Sequence, residues 1–146
     1  MNYNFYGKDT PSVKPISNEY IKIKDQRHLY DILFKLWCKE TCAPRLQPEW
    51  SKDNITNGQC SITSFLIQDI FGGKVYGVPL ENGGVHCFNE INGIIFDLTS
   101  EQFGNQVLTY TLNFEQSRSE HFASKEKEDR YLLLKKLLKN YLLLLK

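Results

Sequence analysis

The sequence predicts an α+β domain: a central helix that starts at a cysteine, packed on a small antiparallel sheet, with further helices before and after it. Three observations carry this reading. Asn57-Gly58 marks a turn, Ile62, Phe65, Leu66 and Ile70 recur at helical spacing, and Gly72-Gly73 supply the left-handed residues that end helices. After Gly73 the apolar period drops to two, and Asn92-Gly93 between alternating apolar residues is the strongest short signal for a β-hairpin. Asp25 to about Thr41 and Lys125 to Leu145 each carry an apolar stripe at helical spacing.

A chain of 146 residues is expected to form one domain. At that length roughly 70% of the unfolded surface becomes buried, so disulfides are not needed for folding. Eighteen Lys and Arg against 17 Asp and Glu leave a net charge of +1, which argues against a nucleic-acid partner held by phosphate contacts. The N-terminus has no basic n-region followed by a long apolar run. No stretch approaches the roughly 18 apolar residues of a membrane span. The expectation is a cytoplasmic protein that keeps Cys38, Cys42, Cys60 and Cys87 as thiols.

Residues 1–24 read as an N-terminal arm before a single domain of residues 25–146. Tyr20 to Lys24 alternates and predicts an edge strand. Asp25 is the expected N-cap of the first helix, and Ala43-Pro44 its stop. Cys38 and Cys42, four apart, would share one side near its end; packing is their simplest role, because a zinc half-site needs two further ligands. Residues 43–59 form a long loop with Trp50, Asn54 and Asn57-Gly58, and loops of that length are often functional. The central helix follows, then strands over Lys74–Leu80, Val85–Glu90 and Ile94–Leu98. Thr99-Ser100-Glu101-Gln102 resembles a capping box opening a short helical turn that Gly104 closes. Gln106 to Phe114 alternates and predicts a further strand. A polar connection holding His121 leads to the last helix. There Tyr131, Leu134, Leu138, Tyr141 and Leu145 form one stripe, widened by Leu133, Leu137 and Leu144. That helix is expected to cover the sheet; a homodimer through residues 131–145 is the alternative.

The hairpin fixes a register. If Ile91 pairs with Ile94, every facing pair sums to 185. His86, Phe88, Asp97 and Thr99 then share one side of the sheet, and Val85, Cys87, Asn89, Phe96 and Leu98 the other. His86 and Asp97 become diagonal neighbours, roughly 7–8 Å apart at Cα. A slip of one residue would break that relation.

The chemistry follows from placement. A thiol attacks carbonyls as thiolate, and a helix N-terminus or a nearby imidazolium lowers its pKa from about 8.5. A histidine can take and return the proton, and a carboxylate can fix that histidine's tautomer. Cys60, His86 and Asp97 supply these parts in chain order. The backbone N–H of Cys60, with side-chain amides of Gln59 or Asn54, are candidate oxyanion donors, and Trp50 is a candidate for substrate binding. Each residue also has a plainer role: Cys60 or His86 as core residues, Asp97 as the cap of the turn at Thr99. His28 and His121 are expected to be solvated, and Cys87 to be core. A metal site on Cys60 and His86 has too few ligands to be closed.

Trp50, Asn54, Gly58-Gln59-Cys60, Gln68-Asp69, Phe71-Gly72-Gly73, His86-x-x-Asn89, Asp97-Leu98-Thr99 and Gln102-Phe103, with the closing Arg130-Tyr131-x-Leu133-Leu134, resemble the YunG-like family of small bacterial proteins. The resemblance covers roughly residues 29–138. The order of parts is also similar to the papain-like and transglutaminase-like superfold, which sets a helix-start cysteine against a sheet carrying His and then Asp or Asn. That resemblance implies a papain-like core with a thiol site at Cys60, His86 and Asp97 and no cofactor. One departure is that Cys87-Phe88, rather than two aromatics, follow the histidine. Two functions fit: acyl transfer from a small-molecule or peptide amide, thioester or isopeptide, or a non-catalytic binding protein that keeps the fold and the cleft.

Overall fold

The computed structural model describes residues 2–146. It is an α+β structure in which a helix, α2 (Cys60–Phe71), lies between a three-stranded antiparallel sheet and two other helices. Those helices are α1 (Gln26–Leu36) and α4 (Lys125–Leu144); a single turn, α3 (Arg118–His121), precedes α4. The strands β1 (Lys74–Pro79), β2 (Val85–Ile91) and β3 (Ile94–Phe96) lie side by side in chain order.

The central place of α2 follows from its composition. Ile62, Phe65, Leu66, Ile67, Ile70 and Phe71 are apolar on all sides of the helix, and such a helix has to be covered all round. The sheet covers one flank and α4 another. Phe65 and Leu66 are fully buried, and burial of such a side chain contributes roughly 1.5–3 kcal/mol. At the far end Gly72 and Gly73 have φ of 81° and 75°. A Cβ on Gly73 would lie 2.3 Å from the Glu90 carbonyl. Glycine there lets the chain turn directly into β1 beside β2.

The hairpin register is the expected one: Ile91 pairs with Ile94, Glu90 with Ile95 and Asn89 with Phe96. Asn92 and Gly93 take φ of 53° and 84°, the left-handed pair that a two-residue turn requires. The two faces separate as the alternation demands. Cys87, Ile91, Phe96 and Leu98 join the main core with α2, while Phe88 joins Tyr76 and Val78 in a second cluster with Tyr110. Asn89 donates from Nδ2 to the Ser64 carbonyl and ties β2 to α2.

Several expected elements differ. Asp25 caps α1 by accepting from the His28 N–H, but the helix stops at Leu36, not near Thr41. Trp37 turns out of it to donate from Nε1 to Thr63 on α2. Cys38 and Cys42 therefore flank a separate 3-10 turn, Lys39–Thr41, instead of sharing a helix side. Tyr20–Lys24 is not a strand. Tyr20 and Ile23, three apart, are both buried while Ile21 is exposed, the geometry of a tight turn. Phe5 and Val13 are buried too, so the arm packs into the core it precedes. Residues 43–59 fold as consecutive 3-10 turns rather than open loop.

Gln106–Phe114 is not a strand either. The edge of β1 accepts only the end of this segment, through Gly77 N–H to Phe114 O and Gln116 N–H to Val75 O. Without a ladder partner its alternation serves only to place Leu108 and Tyr110 against Phe88. The turn Ser100–Phe103 forms and ends at Gly104, but without a capping box, because the Thr99 hydroxyl donates to Asp97. The last helix packs on α2 and α1, not on the sheet: Tyr131, Leu134, Leu138 and Leu142 are buried, and Leu143 and Leu144 are exposed. No helix among the described residues is long and apolar enough to cross a membrane.

Candidate active site

The preceding loop delivers Cys60 to the first position of α2. Gly58, with φ of 72°, accepts from the Ala43 N–H, and a Cβ there would lie 2.5 Å from Cys42 Sγ. Only glycine lets the loop press this closely on the Cys42 segment. Gln59 is fully buried and donates from Nε2 to the Cys38 carbonyl, and its side chain does not cap the helix. The first-turn N–H groups of α2 have no intrahelical partner and concentrate positive potential beside the sulfur.

β3 pairs with β2 only as far as Asn89, so the edge of β2 at His86 and Cys87 has no strand beside it on that side. The N-terminus of α2 meets β2 there. Cys60 is half-buried and lines one cleft with His86 and Cys87. These neighbours hold the Cys60 pKa well below that of an ordinary thiol. The Cys87 thiol donating to the sulfur is the largest cause; burial opposes it, and the His86 hydrogen bond and charge and the Cys87 backbone N–H reinforce it. Cys87 is shifted the other way, well upward, because its proton is held on Cys60 and because it is buried.

His86 is 1% exposed, and its Nε2 lies 2.6 Å from Asp97 Oδ2. That bond leaves Nδ1 as the ring nitrogen for Cys60. Burial alone would lower the pKa of His86, but the Asp97 charge and hydrogen bond, with Cys60, raise it to about 10. The two shifts run in the directions that favour a thiolate beside an imidazolium. The edge of the Phe103 ring lies against the imidazole, with centroids 4.7 Å apart.

Asp97 is itself fully committed. Oδ1 accepts from the Thr99 N–H at 3.0 Å and the Thr99 hydroxyl at 3.2 Å; Oδ2 accepts from His86 and, at 2.7 Å, from the Tyr110 hydroxyl. The turn-capping role and the histidine-orienting role use different oxygens of one carboxylate. Burial and the Asp97 charge push the Tyr110 pKa upward, so the phenol stays a donor.

A cleft of about 920 Å³ opens over Cys60, His86 and Cys87 and extends to Gln102, His121 and Arg130. Trp50, Asn54 and Gln59 are not among the residues lining it. Trp50 donates to the Ile55 carbonyl, and Asn54 reaches the Gln102 carbonyl at 3.5 Å. His121 is not solvated as expected: its ring packs on Phe65, and burial with nearby Lys127 and Arg130 lowers its pKa to about 4. His28 is half-buried and accepts the Lys24 N–H on Nδ1. Among the described residues, no three His, Cys, Asp or Glu side chains are grouped to hold a metal ion.

Sequence reasoning did not anticipate Tyr110 or Cys87 as members of the site. Tyr110 lay on the expected face of an alternating segment, and that was the available signal. Alternation puts Cys87 opposite His86 and in the core, where it lies, but no sequence signal brings it beside Cys60.

A family model described as YunG protein matches residues 25–143. Among curated proteins, one from Bacillus subtilis (strain 168), described as "Uncharacterized protein YunG", is 34% identical over 76 residues. The match takes in 52% of this chain and spans 61% of that relative's length. No solved structure matches.

Proposed function

We propose that this chain, which belongs to the YunG family, is a cysteine-dependent acyl-transfer enzyme with a papain-like arrangement of parts. The observation that carries the reading is that Cys60, at the start of α2, and His86 line one cleft while His86 is held from behind by buried Asp97 at 2.6 Å.

In this reading the Cys60 thiolate attacks the carbonyl carbon of an amide, thioester or isopeptide in a peptide or small molecule. The C–S bond forms as the carbonyl oxygen takes up the electron pair. The Cys60 backbone N–H and the first-turn amides of α2 receive that oxyanion. His86 then gives its proton to the leaving amine or thiol as its bond to carbon breaks. Asp97 holds the ring in place throughout. Water or an amine ends the cycle by attacking the thioester, with His86 now acting as base. Gln59 acts behind the site by holding the Cys38 carbonyl, and Gln102 is one of the amide side chains that line the cleft. No step calls for a cofactor, and a reducing, cytoplasmic setting suits a thiolate nucleophile.

Acylation tests this directly. A panel of activated acyl esters and thioesters is expected to leave an acyl group on Cys60, read by mass spectrometry, that turns over with time. Cys60→Ser should abolish it. Acylation of Cys60 no faster than that of Cys38 across the panel would overturn the reading and favour a binding protein that uses the same cleft.

A further inference from the structure

We propose that Cys87 is a resolving cysteine: a hydroperoxide oxidises Cys60, and Cys87 then closes a disulfide with it that blocks the site reversibly. This shares with the acyl-transfer reading the thiolate at Cys60 and the proton on His86.

Cys87 makes and breaks no bond in acyl transfer, yet it is the thiol that shares the cleft with the nucleophile. It stands on β2, is 3% exposed, and lines the same cleft as Cys60. Cys60 is half-buried and opens to the cleft. The other two thiols are placed differently. Cys42 is fully buried against the Gly58 turn, and Cys38 precedes a separate turn. The Cys60–Cys87 pair is therefore asymmetric in the sense that redox chemistry requires. The accessible member is the thiolate, and the covered member keeps its proton and is shielded from direct attack.

The chemistry balances. The Cys60 thiolate attacks one oxygen of the hydroperoxide; an S–O bond forms and the O–O bond breaks. The departing alkoxide or hydroxide takes the proton of the His86 imidazolium and leaves as alcohol or water. Cys60 is now a sulfenic acid. The Cys87 sulfur attacks the Cys60 sulfur, the S–S bond forms, the S–O bond breaks, and hydroxide leaves as water with the Cys87 proton. Two thiols are oxidised and one hydroperoxide is reduced. The bond needs an S–S distance of about 2.05 Å, and the two thiols line one cleft, from the start of α2 and from β2. Closing it stops Cys60 from advancing to the irreversible sulfinic acid.

The test treats the full chain with limiting hydrogen peroxide and maps its peptides without reduction. Iodoacetamide labelling of Cys60 is measured before oxidation, after it, and after dithiothreitol. The wild-type chain is expected to lose two hydrogens in mass, to yield a linked Cys60–Cys87 peptide, and to lose and then regain labelling. Cys87→Ser should instead give a dimedone-trapped sulfenic acid at Cys60 that proceeds to sulfinic acid and is not recovered. Should that variant not fold, the wild-type map decides alone. Fast initial labelling with no Cys60–Cys87 link, and sulfinic acid forming in the wild type, would overturn the resolving role and leave acyl transfer standing. A link with no acylation by any carbonyl probe would support the pair and overturn the acyl-transfer reading.

Discussion

His86 Nε2 and Asp97 Oδ2 meet at 2.6 Å with both side chains 1% exposed. Removing the charge from one partner of such a buried pair typically costs about 3–5 kcal/mol. Asp97→Asn is therefore expected to lower stability on that scale. It should also bring the His86 pKa down from about 10, measured by NMR of the imidazole. A His86 that still titrates near 10 in the variant would remove Asp97 from the account.

Tyr110→Phe deletes the second donor to the same oxygen. The ring keeps its stacking on Tyr6 and its edge contact with Phe88. Loss of a hydrogen bond to a charged group costs about 1.5–3 kcal/mol, and urea unfolding should show a drop of that order. The carboxylate, with one donor fewer, binds His86 no less firmly, so alkylation of Cys60 at neutral pH should persist. Labelling lost as fully in Tyr110→Phe as in Asp97→Asn would contradict this division of roles.

The thiolate–imidazolium pair has a signature in stability against pH. His86 has its folded pKa raised to about 10, against about 6.5 unfolded. Its contribution is complete below about 6.5 and lost as pH rises towards 10. Cys60 has its folded pKa lowered, against about 8.5 unfolded. Its contribution is complete above about 8.5 and lost as pH falls towards the folded value. Above both about 6.5 and the folded Cys60 value, and below about 8.5, the folded and unfolded pairs bind the same number of protons, so the two slopes cancel. Wild-type unfolding free energy is expected to include a flat region there, falling on both sides. Cys60→Ser should replace that region with a steady decline as pH rises. Matching profiles for the two chains would argue against a charged pair.

Much of this arrangement is legible in the residues alone, because it rests on local rules. Asn92-Gly93 sets a two-residue turn, the turn sets the register, and the register puts His86 and Asp97 on one side. Gly72-Gly73 and the apolar run before them fix where α2 ends. What is not legible depends on distant partners. Trp37 leaves α1 early to reach Thr63, and the Gln59 amide points away from the cleft to the Cys38 carbonyl. Gln106–Phe114 alternates like a strand but finds almost no edge to join. Tyr110 then acts through its hydroxyl rather than through a ladder. Alternation and amphipathicity report which side chains go inside, and they carry no information on which polar atom each will meet there.

The central claim is that Cys60 rests as a thiolate paired with His86. The rate of iodoacetamide alkylation at Cys60, followed against pH in the wild type and in His86→Ala, tests it most directly. The wild type is expected to label fast well below pH ~8, with the inflection moving up towards an ordinary thiol value of about 8.5 in the variant. Labelling that follows an ordinary thiol titration in both chains would contradict it.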